Sequence, residues 1–356
     1  MKTDVNKYFR EKKIEINSCT KKIFEDTESD FKDFGSLGAS VIRKLKDLSL
    51  LGKGVRGGLL IFSSESYHAQ NPEIALHLAA SVELIHSALL IHDDIADNDL
   101  IRRGKPTIHA KYLEYAKSES ITNPQDFAKS ISMIIGDLGF FLALSHISLI
   151  TKKLKQGQEI LRLISDEISL VCLAQIDDIR FGYFNNDIDE NDIKRVYKYK
   201  TARYSFSLPL LLGAKLAGVK VDQQKLLRQI GSNLGFIYQL RDDEIGLFSD
   251  DETIGKPVGS DIRENKKTLL RQFLYQKVSV SDRKFLDETF GNKNLSKVDI
   301  DKVRKLILEF GIKKRLDSLI ISYKSEVKTD INKLSVSAKS KQFLNDLADY
   351  VKNRDK

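Results

Sequence analysis

The sequence predicts an all-α protein. Only five prolines interrupt its 356 residues, and the chain is rich in Leu, Ile, Lys and Glu, which are good helix formers. Long stretches also place apolar residues at helical spacing, which is the main signal of amphipathic and buried helices. Length alone allows one large helical domain or two smaller ones.

The N-terminal part predicts helices that lead into a glycine-rich segment. Residues 1–34 are densely charged and predict one or two peripheral amphipathic helices, and a helical pattern resumes over residues 41–51. The sequence GKGVRGG then covers residues 52–58 and carries Lys53 and Arg56 three positions apart. Its glycines allow a turn at a helix start, where free N–H groups favour anions. Taken alone, this segment is equally an ordinary loop with two solvated cations.

The central helix has a carboxylate cluster at its C-terminal end. Residues 75–91 are almost entirely apolar and predict a buried helix, and Asp93, Asp94 and Asp97 follow directly. Asp93 and Asp97 stack one turn apart, and His86 lies two turns below Asp93 on the same face. Stacked carboxylates repel each other and are unfavourable at the negative end of a helix dipole, so we expect a cation to hold them.

Mg²⁺ is the expected cation, because it prefers oxygen ligands and completes its shell with water and substrate phosphates. Arg102 and Arg103 follow the cluster and offer forked donors suited to phosphate oxygens. The alternative is a solvated acidic turn followed by a basic one. The apolar helix that leads into the cluster makes this alternative less favourable.

A second helix repeats this arrangement. Residues 231–247 predict an apolar helix that carries Asp242 and Asp243, and the following glycine-containing loop holds Lys256, Asp261 and Lys266. Before it, Lys200 and Thr201 lie in the middle of a helix that Pro209 should kink or interrupt, because proline removes a backbone hydrogen bond.

Another acidic pair occurs near the end of the helix predicted over residues 160–180. Gln175 and Asp178 share one face of that helix, whereas Asp177 is expected to pair with Arg180. From residue 276 to the end the chain is more polar, and we predict helices there that serve packing, including one over residues 302–323.

Charge, cysteine content and termini exclude several classes of protein. The net charge is +8, but Lys and Arg are spread along the chain, so we predict no nucleic-acid binding. Two cysteines form no disulfide framework, and the N-terminus lacks an apolar signal region, which favours a cytoplasmic protein. The apolar run over residues 133–150 contains Asp137 and His146, so we expect a core helix and no transmembrane segment.

Five motifs in order resemble those of the trans-type polyprenyl synthetases, the isoprenyl diphosphate synthases. They are GKGVR, ELIHSALLIHDDIADNDLIRRGKPTIH, KTA, YQLRDDEIG, and GKPVGSD with KKT, between residues 52 and 270. The resemblance implies the isoprenoid synthase fold, a single all-α bundle over residues 1–356 around a central cavity. It also implies a homodimer, with the two aspartate-rich helix ends facing each other across the mouth of the cavity.

The implied activity joins isopentenyl diphosphate to an allylic diphosphate, which is dimethylallyl, geranyl or farnesyl diphosphate, with Mg²⁺ as the cofactor. By resemblance, the metal-binding group contains Asp93, Asp94, Asp97, Asp242, Asp243 and Asp261. Asp93, Asp97 and Asp242 are its direct ligands, Asp94 and Asp243 support them, and Asp261 acts through water. The allylic diphosphate would contact Arg102, Lys200, Lys256 and Lys266. Isopentenyl diphosphate would contact Lys53, Arg56, His86 and Arg103. The carbocation would be stabilised by Thr201, Gln239 and the carbonyl of Lys200, with Gln175 nearby.

One position departs from the family pattern. Gly246 stands where the second motif usually has a third aspartate. Asp242 and Asp243 are intact, so we expect activity to survive. A non-catalytic subunit of a heteromeric prenyl synthase gains some support from this departure and is the alternative outside the enzymes.

The expected product is geranylgeranyl diphosphate, which has 20 carbons. Ala88 and Leu89 lie about one turn before Asp93, ~6 to 7.5 Å deeper along the helix, where farnesyl-forming members often have an aromatic ring. Ala88 is small, so the tunnel should continue towards Ile85, and Phe140 or Phe141 is a candidate for its floor. A farnesyl or longer-chain synthase is the alternative.

Two other enzyme classes fit less well. A terpene cyclase shares the fold and the first aspartate motif but uses one substrate, so it would not need the second diphosphate pocket. A metal phosphohydrolase built on His92 and Asp93 would need further ligands, and the six histidines contain no HxxxH pair.

Overall fold

A computed structural model describes residues 4–184, 188–249 and 258–354. It confirms the all-α prediction, since the only strands in these ranges are two residues long each. The chain divides into two compact units, one of Asp4–Ile164 with Pro209–Lys220 and one that contains Ser165–Leu208 and Val221–Lys356. The prediction of a single domain stays a prediction.

The elements of the first unit run in chain order from α1 to the start of α7, and α9 is added later. They are α1 Val5–Asp30, a 3₁₀ turn Lys32–Phe34, α2 Gly35–Leu50, α3 Val55–Ser66, α4 Pro72–Asp97, β1 Ile101–Arg102, β2 Lys105–Pro106, α5 Ile108–Ser118, α6 Pro124–Thr151, α7 Gly157–Tyr183 and α9 Leu208–Leu216. Of α7, the part up to Ile164 belongs to this unit, and of α9, the part from Pro209.

The second unit begins within α7 and contains the later elements other than α9 from Pro209. Its further elements are α8 Glu190–Val196, a wide helix Tyr197–Ser207, α10 Val221–Phe248, α11 Ser260–Arg263, α12 Leu269–Tyr275, α13 Val280–Thr289, α14 Lys297–Glu309, α15 Ile312–Asn332 and α16 Ala338–Lys352. Helices α14, α15 and α16 pack against one another or against α10 within this unit.

Helix α4 is the core of the first unit. It packs against α1, α3 and α6, and Leu78, Leu84 and Ile85 are at most 1% exposed. Helix α1 has the predicted charged face, but its apolar side is more deeply buried than that of a peripheral helix, since Ile16 and Phe24 are completely covered.

The end of α4 is set by backbone conformation. Asn98 adopts a left-handed conformation with φ 55°, which stops the helix directly after Asp97. Strands β1 and β2 then form a two-residue hairpin whose turn residues, Arg103 and Gly104, both have positive φ. This is the type I′ turn that matches the twist of paired strands, and it places Arg103 at the tip.

Two glycines on α6 allow it to approach α4 closely. A Cβ on Gly136 would lie 2.4 Å from the His92 ring, and one on Gly139 would lie 3.1 Å from Cβ of Ala88. Among the described residues, α4 and α6 are the helices long and apolar enough to span a membrane; 67% of the apolar window of α4 is buried, against 28% for α6. This is weak evidence for a membrane segment, because core helices pass the same test. The expectation of a buried core helix over residues 133–150 is wrong for the single chain, and Phe141, a candidate for the tunnel floor, is 70% exposed.

Helix α10 is the core of the second unit and packs against the wide helix and α15. A Cβ on Gly235 would lie 2.2 Å from Cα of Ala202, and one on Gly231 would lie 2.5 Å from Cα of Ser207. The two glycines are four residues apart and therefore share one face of α10. Their missing side chains allow the backbone of the wide helix to lie directly on α10.

The proline that follows the wide helix explains its wider hydrogen-bond spacing. The amide of Leu208 donates to the carbonyl of Arg203, five residues earlier, instead of four as in an α-helix. Pro209 has no N–H and its ring crowds the preceding turn, so the regular hydrogen-bond ladder cannot continue through it. The sequence predicted a kink or a break here, and the chain instead widens the helix that carries Lys200 and Thr201.

Candidate active site

One arginine lies against the carboxylates at the end of α4. The Arg102 side chain lies next to three carboxylates: its Nε donates to Oδ1 of Asp94, and its Nη2 lies 3.4 Å from Asp93 and 3.3 Å from Asp99. The hairpin turns Arg102 back onto the helix end. Arg102 therefore offsets part of the negative charge at this helix end.

Asp94 is the buried member of this cluster and is only 1% exposed. Burial raises the pKa of Asp94 to about 7, although the neighbouring Arg102 lowers it. Its second oxygen, Oδ2, is buried and has no hydrogen-bond partner among the described residues. Asp93 and Asp97 are half-buried and lie one turn apart at the end of α4.

A cationic group forms beside this cluster in the same unit. Burial and the nearby Arg56, Arg103 and Arg102 keep the pKa of His86 well below its ordinary value, so the imidazole is neutral near pH 7. A Cβ on Gly52 would lie 3.6 Å from Nη1 of Arg103, which places the glycine-rich segment next to the hairpin. The cationic group therefore contains Arg56, His86 and Arg103 close to one another. Lys53 follows Gly52 in an exposed position.

The sequence did not identify Glu83, which organises this group. Glu83 is 6% exposed, and its Oε1 accepts a hydrogen bond of 2.9 Å from the amide of Gly57 at the start of α3. Its Oε2 lies 3.4 Å from where a Cβ on Gly52 would be. A charged residue inside a run of apolar ones was the available signal, because buried carboxylates require partners.

The second unit contains a cavity of about 90 Å³ at the second aspartate motif. Seven of the residues proposed from the sequence line it: Lys200, Thr201, Gln239, Asp242, Asp243, Asp261 and Lys266. The wide helix, α10 and the segment before α12 supply these side chains. Lys256 lies outside the described residues, and Gln175 lies on α7 one turn before the lining residue Asp178.

The two aspartates of the second motif differ in environment. The side chain of Asp242 is 51% exposed and lies 2.8 Å from Nη1 of Arg354, near the C-terminal end of the chain. Asp243 is buried and accepts hydrogen bonds from Tyr197 and, at 2.9 Å, from Nε2 of Gln239. Burial, and secondarily Asp261, raises the pKa of Asp243, while these two donors lower it.

The lysines of the cavity are also paired. Nζ of Lys200 lies 2.6 Å from Asp178, and Nζ of Lys266 lies 3.0 Å from Glu264 and 3.9 Å from Asp261. Asp177 contacts Arg180 at 3.0 Å, which confirms the predicted structural pairing. In the sequence, Asp178 stood out only because it shares a helix face with Gln175. Its pairing with Lys200 could not be predicted from the sequence.

Gly246 has a structural consequence next to this cavity. An added Cβ would lie 3.4 Å from Oδ2 of Asp261, and the amide of Gly259 donates to the Gly246 carbonyl at 3.3 Å. The carboxylate of Asp261 thus lies against the position where the family pattern has a third aspartate. The chain keeps a carboxylate at this point, from a different segment.

The carboxylates of each cluster, taken separately, fit the binding of magnesium that a substrate completes. Within the described ranges, no three His, Cys, Asp or Glu side chains are gathered as a ready metal site. The donors are nevertheless carboxylate oxygens, one of them buried and unpartnered, and arginines occupy both clusters. Mg²⁺ needs only one or two carboxylates when phosphates and waters supply its other ligands.

Comparison with known proteins gives the family. The family model described as polyprenyl synthetase matches residues 42–307, about three quarters of the chain. The chain belongs to the polyprenyl synthetase family. A polyprenyl synthetase of this type is a trans-prenyltransferase, an enzyme that condenses isopentenyl diphosphate with an allylic diphosphate.

Individual relatives narrow this class. A short chain isoprenyl diphosphate synthase of Methanocaldococcus jannaschii is 33% identical over 66% of this chain and 66% of its own length. A geranylgeranyl diphosphate synthase of Sulfolobus acidocaldarius is 31% identical over 78% of this chain and 82% of its own length.

A solved structure also matches the polyprenyl synthetase fold. It is the geranylgeranyl pyrophosphate synthase from Corynebacterium glutamicum, complexed with isoprenyl diphosphate and magnesium. Its TM-score is 0.91 at 25% identity, over 99% of this chain and 100% of that one. The family, the all-α fold and the class of enzyme predicted from the sequence are therefore confirmed.

Proposed function

We propose that this prenyltransferase is a magnesium-dependent geranylgeranyl diphosphate synthase. The observation that carries the product length is the small residue Ala88 five positions before Asp93, where a larger ring would shorten the space available to the growing chain. The names of the Sulfolobus acidocaldarius and Corynebacterium glutamicum relatives support the same product. A farnesyl or longer-chain synthase is the alternative.

In the first unit, Asp93 and Asp97 would hold Mg²⁺ on the allylic diphosphate. Asp94 supports them, because its pairing with Arg102 fixes the hairpin against the helix end. When a diphosphate and its metal ions enter, Arg102 would exchange carboxylate contacts for phosphate oxygens, to which its fork is equally suited.

The second diphosphate would bind to the cationic group of Lys53, Arg56, His86 and Arg103. Isopentenyl diphosphate keeps its diphosphate during the reaction, so this pocket has to bind and orient it and need not activate it as a leaving group. A neutral His86 can donate one hydrogen bond to phosphate while the arginines carry the charge. Glu83 holds the glycine-rich segment in place through the Gly57 amide.

In the second unit, Asp242 and Asp261 would complete the metal-binding group, and Lys200, Lys256 and Lys266 would bind the leaving diphosphate. Bound Mg²⁺ would neutralise the diphosphate as it leaves with the electron pair of the allylic C–O bond. Oxygens of Thr201, Gln239 and the Lys200 carbonyl would then face the allylic cation, which alkylates the double bond of isopentenyl diphosphate. The departing pyrophosphate takes the final proton.

The product assay tests the main proposal. Purified protein is incubated with isopentenyl diphosphate, Mg²⁺ and each allylic primer in turn, and the dephosphorylated products are separated by chromatography. We expect a C20 alcohol from dimethylallyl, geranyl and farnesyl diphosphate. A C15 or longer main product would select the alternative chain lengths, and hydrocarbons formed without consumption of isopentenyl diphosphate would select a cyclase.

The substitution Ala88→Phe tests the role of this position in product length. Ala88 packs closely against Gly139 of α6, and the proposal places the added ring in the space predicted beside Leu89 and Ile85. We expect a shorter product from a variant whose circular dichroism shows a folded protein. Leu90→Phe, one residue outside the predicted set, is the matched control and should keep the product length. An unchanged product from folded Ala88→Phe would show that Ala88 does not limit the chain.

We also propose that the enzyme is a homodimer in the cytoplasm. The apolar residues Ile134, Phe141 and Leu149 of α6 are 61 to 70% exposed, so this face is open in the single chain. A second copy of the chain would bury it, since exposed apolar faces of this kind commonly mark interfaces. Sedimentation should give twice the chain mass, and Phe141→Glu should give monomer while the exposed control Ile321→Glu stays dimeric. A monomeric wild-type protein would contradict the proposal.

A further inference from the structure

Tyr197 lies at the start of the wide helix and joins three elements. It is 5% exposed, and its hydroxyl donates to Oδ2 of Asp243 on α10. The same hydroxyl accepts a hydrogen bond of 3.0 Å from the amide of Leu269, the first residue of α12. The motifs that the sequence pointed to do not include this tyrosine.

The contact continues through Asp243 towards the cavity. The other oxygen of Asp243, Oδ1, accepts from Nε2 of Gln239 at 2.9 Å. Oε1 of Gln239 in turn accepts from the hydroxyl of Thr201 at 2.7 Å. An unbroken series of hydrogen bonds therefore runs from Tyr197 through Asp243 and Gln239 to Thr201.

The direction of this series determines which atoms face the cavity. Both oxygens of Asp243 accept hydrogen bonds, so the amide nitrogen of Gln239 must point to it and the amide oxygen must point to Thr201. Thr201 then has to give its only proton to Gln239. The remaining lone pairs on Thr201 are left for the cavity that both side chains line.

We propose that Tyr197 is a positioning residue for the prenyl transfer step, which fixes Asp243 so that Gln239 and Thr201 present oxygen lone pairs to the developing allylic cation. The inference rests on the proposed role of Thr201 and Gln239. Preorganised dipoles of this kind lower a barrier because they need no rearrangement as the charge forms. Without the tyrosine hydroxyl, Asp243 can rotate, and the amide of Gln239 loses its fixed orientation.

Loss of the hydroxyl also has a purely structural effect, which the experiment has to separate. Tyr197→Phe leaves the Leu269 amide and one oxygen of Asp243 without their partner, so a lower melting temperature is expected in any case. Rates therefore have to be divided by the concentration of folded enzyme. The separation of kcat from KM then distinguishes positioning from a loss of folded protein.

The first measurement compares Tyr197→Phe with Tyr199→Phe. Tyr199 lies on the same helix, with the Arg203 guanidinium 5.1 Å from its ring centre, and has no proposed part in the reaction. We expect Tyr197→Phe to lower kcat about tenfold, with KM for both diphosphates within about twofold, because misplaced groups raise the barrier of the chemical step more than they weaken binding. Tyr199→Phe should keep the wild-type kcat. An unchanged kcat in folded Tyr197→Phe would overturn the proposal.

The second measurement tests whether Tyr197 acts through Thr201. In a Thr201→Val background, the further change Tyr197→Phe should lower kcat less than twofold, since the group it positions is already missing. Equal fold-changes in both backgrounds would overturn the proposal, and so would a Thr201→Val variant with wild-type kcat. The wild-type product assay is independent of all these outcomes, so the function proposed above stands or fails separately.

A third variant keeps the proposal testable if Tyr197→Phe does not fold. Incorporation of 4-aminophenylalanine at position 197 keeps a donor at the same place, and we expect it to keep kcat within about threefold of wild type. A folded protein with this side chain and a tenfold lower kcat would contradict the role of the donor.

Discussion

Asp242 and Asp243 are neighbours in the chain but lie in different surroundings. Asp242 faces solvent and is paired with Arg354, whereas Asp243 is buried between Tyr197 and Gln239. The first cluster shows the same division, with a half-buried Asp93 and a fully buried Asp94. In each pair, the accessible aspartate suits a direct metal ligand and the buried one suits a support.

The contact of Arg354 with Asp242 predicts an effect on the magnesium concentration that the enzyme requires. Because its guanidinium contacts Oδ1 of Asp242, a metal ion that binds this carboxylate would compete with it. The carboxylate is half exposed, so the pair is worth roughly 0.5 to 1 kcal/mol. We therefore expect Arg354→Gln to lower the Mg²⁺ concentration for half-maximal rate by about two- to fivefold.

The test is a magnesium titration of initial rates at saturating substrates. Lys352→Gln removes the same charge two residues earlier and should leave the magnesium requirement as in the wild type. An unchanged or higher requirement in Arg354→Gln would show that Arg354 does not compete with the metal.

Pairings close in sequence were predictable, whereas distant ones were not. The contact of Asp177 with Arg180 follows from helical spacing. Tyr197 and Asp243 are 46 residues apart, and Arg354 and Asp242 are 112 apart. Such contacts depend on how helices pack, which periodicity does not determine.

The helix predicted over residues 160–180 lies within three residues of the observed bounds of α7, whereas α10 begins at Val221, ten residues before the predicted start. Three local features were also missed. Residues 302–323 were expected to be one helix, and Gly311, with φ 68°, instead separates α14 from α15. The hairpin after α4 depends on positive φ at Arg103, a residue type that rarely signals such a turn. The wide helix depends on Pro209 together with close packing on α10.

The packing of α4 against α6 contains a pair of histidines. Nδ1 of His77 and Nε2 of His146 are 3.0 Å apart, so one ring donates to the other. Burial and the neighbouring His77 lower the pKa of His146 from 6.5 to about 4, against a small opposite effect of Asp26 on α1. The folded protein thus favours a neutral His146.

This pair predicts a loss of stability in mild acid. An unfolded histidine takes up a proton below pH 6.5, whereas the folded one does so only near pH 4, so the free energy of unfolding falls as the pH drops through this window. Because the pair is partly exposed, we expect about 1 to 2 kcal/mol from this site, less than the pKa difference alone would give.

Urea unfolding between pH 4 and 7 measures this effect. His146→Gln should reduce the pH dependence of the free energy of unfolding by that amount, and the exposed control His68→Gln should leave it unchanged. A pH dependence in His146→Gln equal to that of the wild type would contradict this role of the pair.

Both compact units share one design, in which a buried apolar helix carries an aspartate pair near its C-terminal end. Helix α4 has this form in the first unit and α10 in the second. The sequence predicted both helices, their aspartates and most of the surrounding cations. That the two ends face each other across one cavity remains a prediction, because it came from the family resemblance.

The reaction proposed here requires those two ends to act on one diphosphate. A crystal structure with Mn²⁺ in place of Mg²⁺ and an unreactive thio analogue of the allylic diphosphate would test this directly, since anomalous scattering locates the metal. We expect metal ions bound to Asp93 and to Asp242, all in contact with the same diphosphate. Metal and diphosphate at only one helix end, with Asp93 and Asp242 on opposite sides of the molecule, would contradict the proposed mechanism.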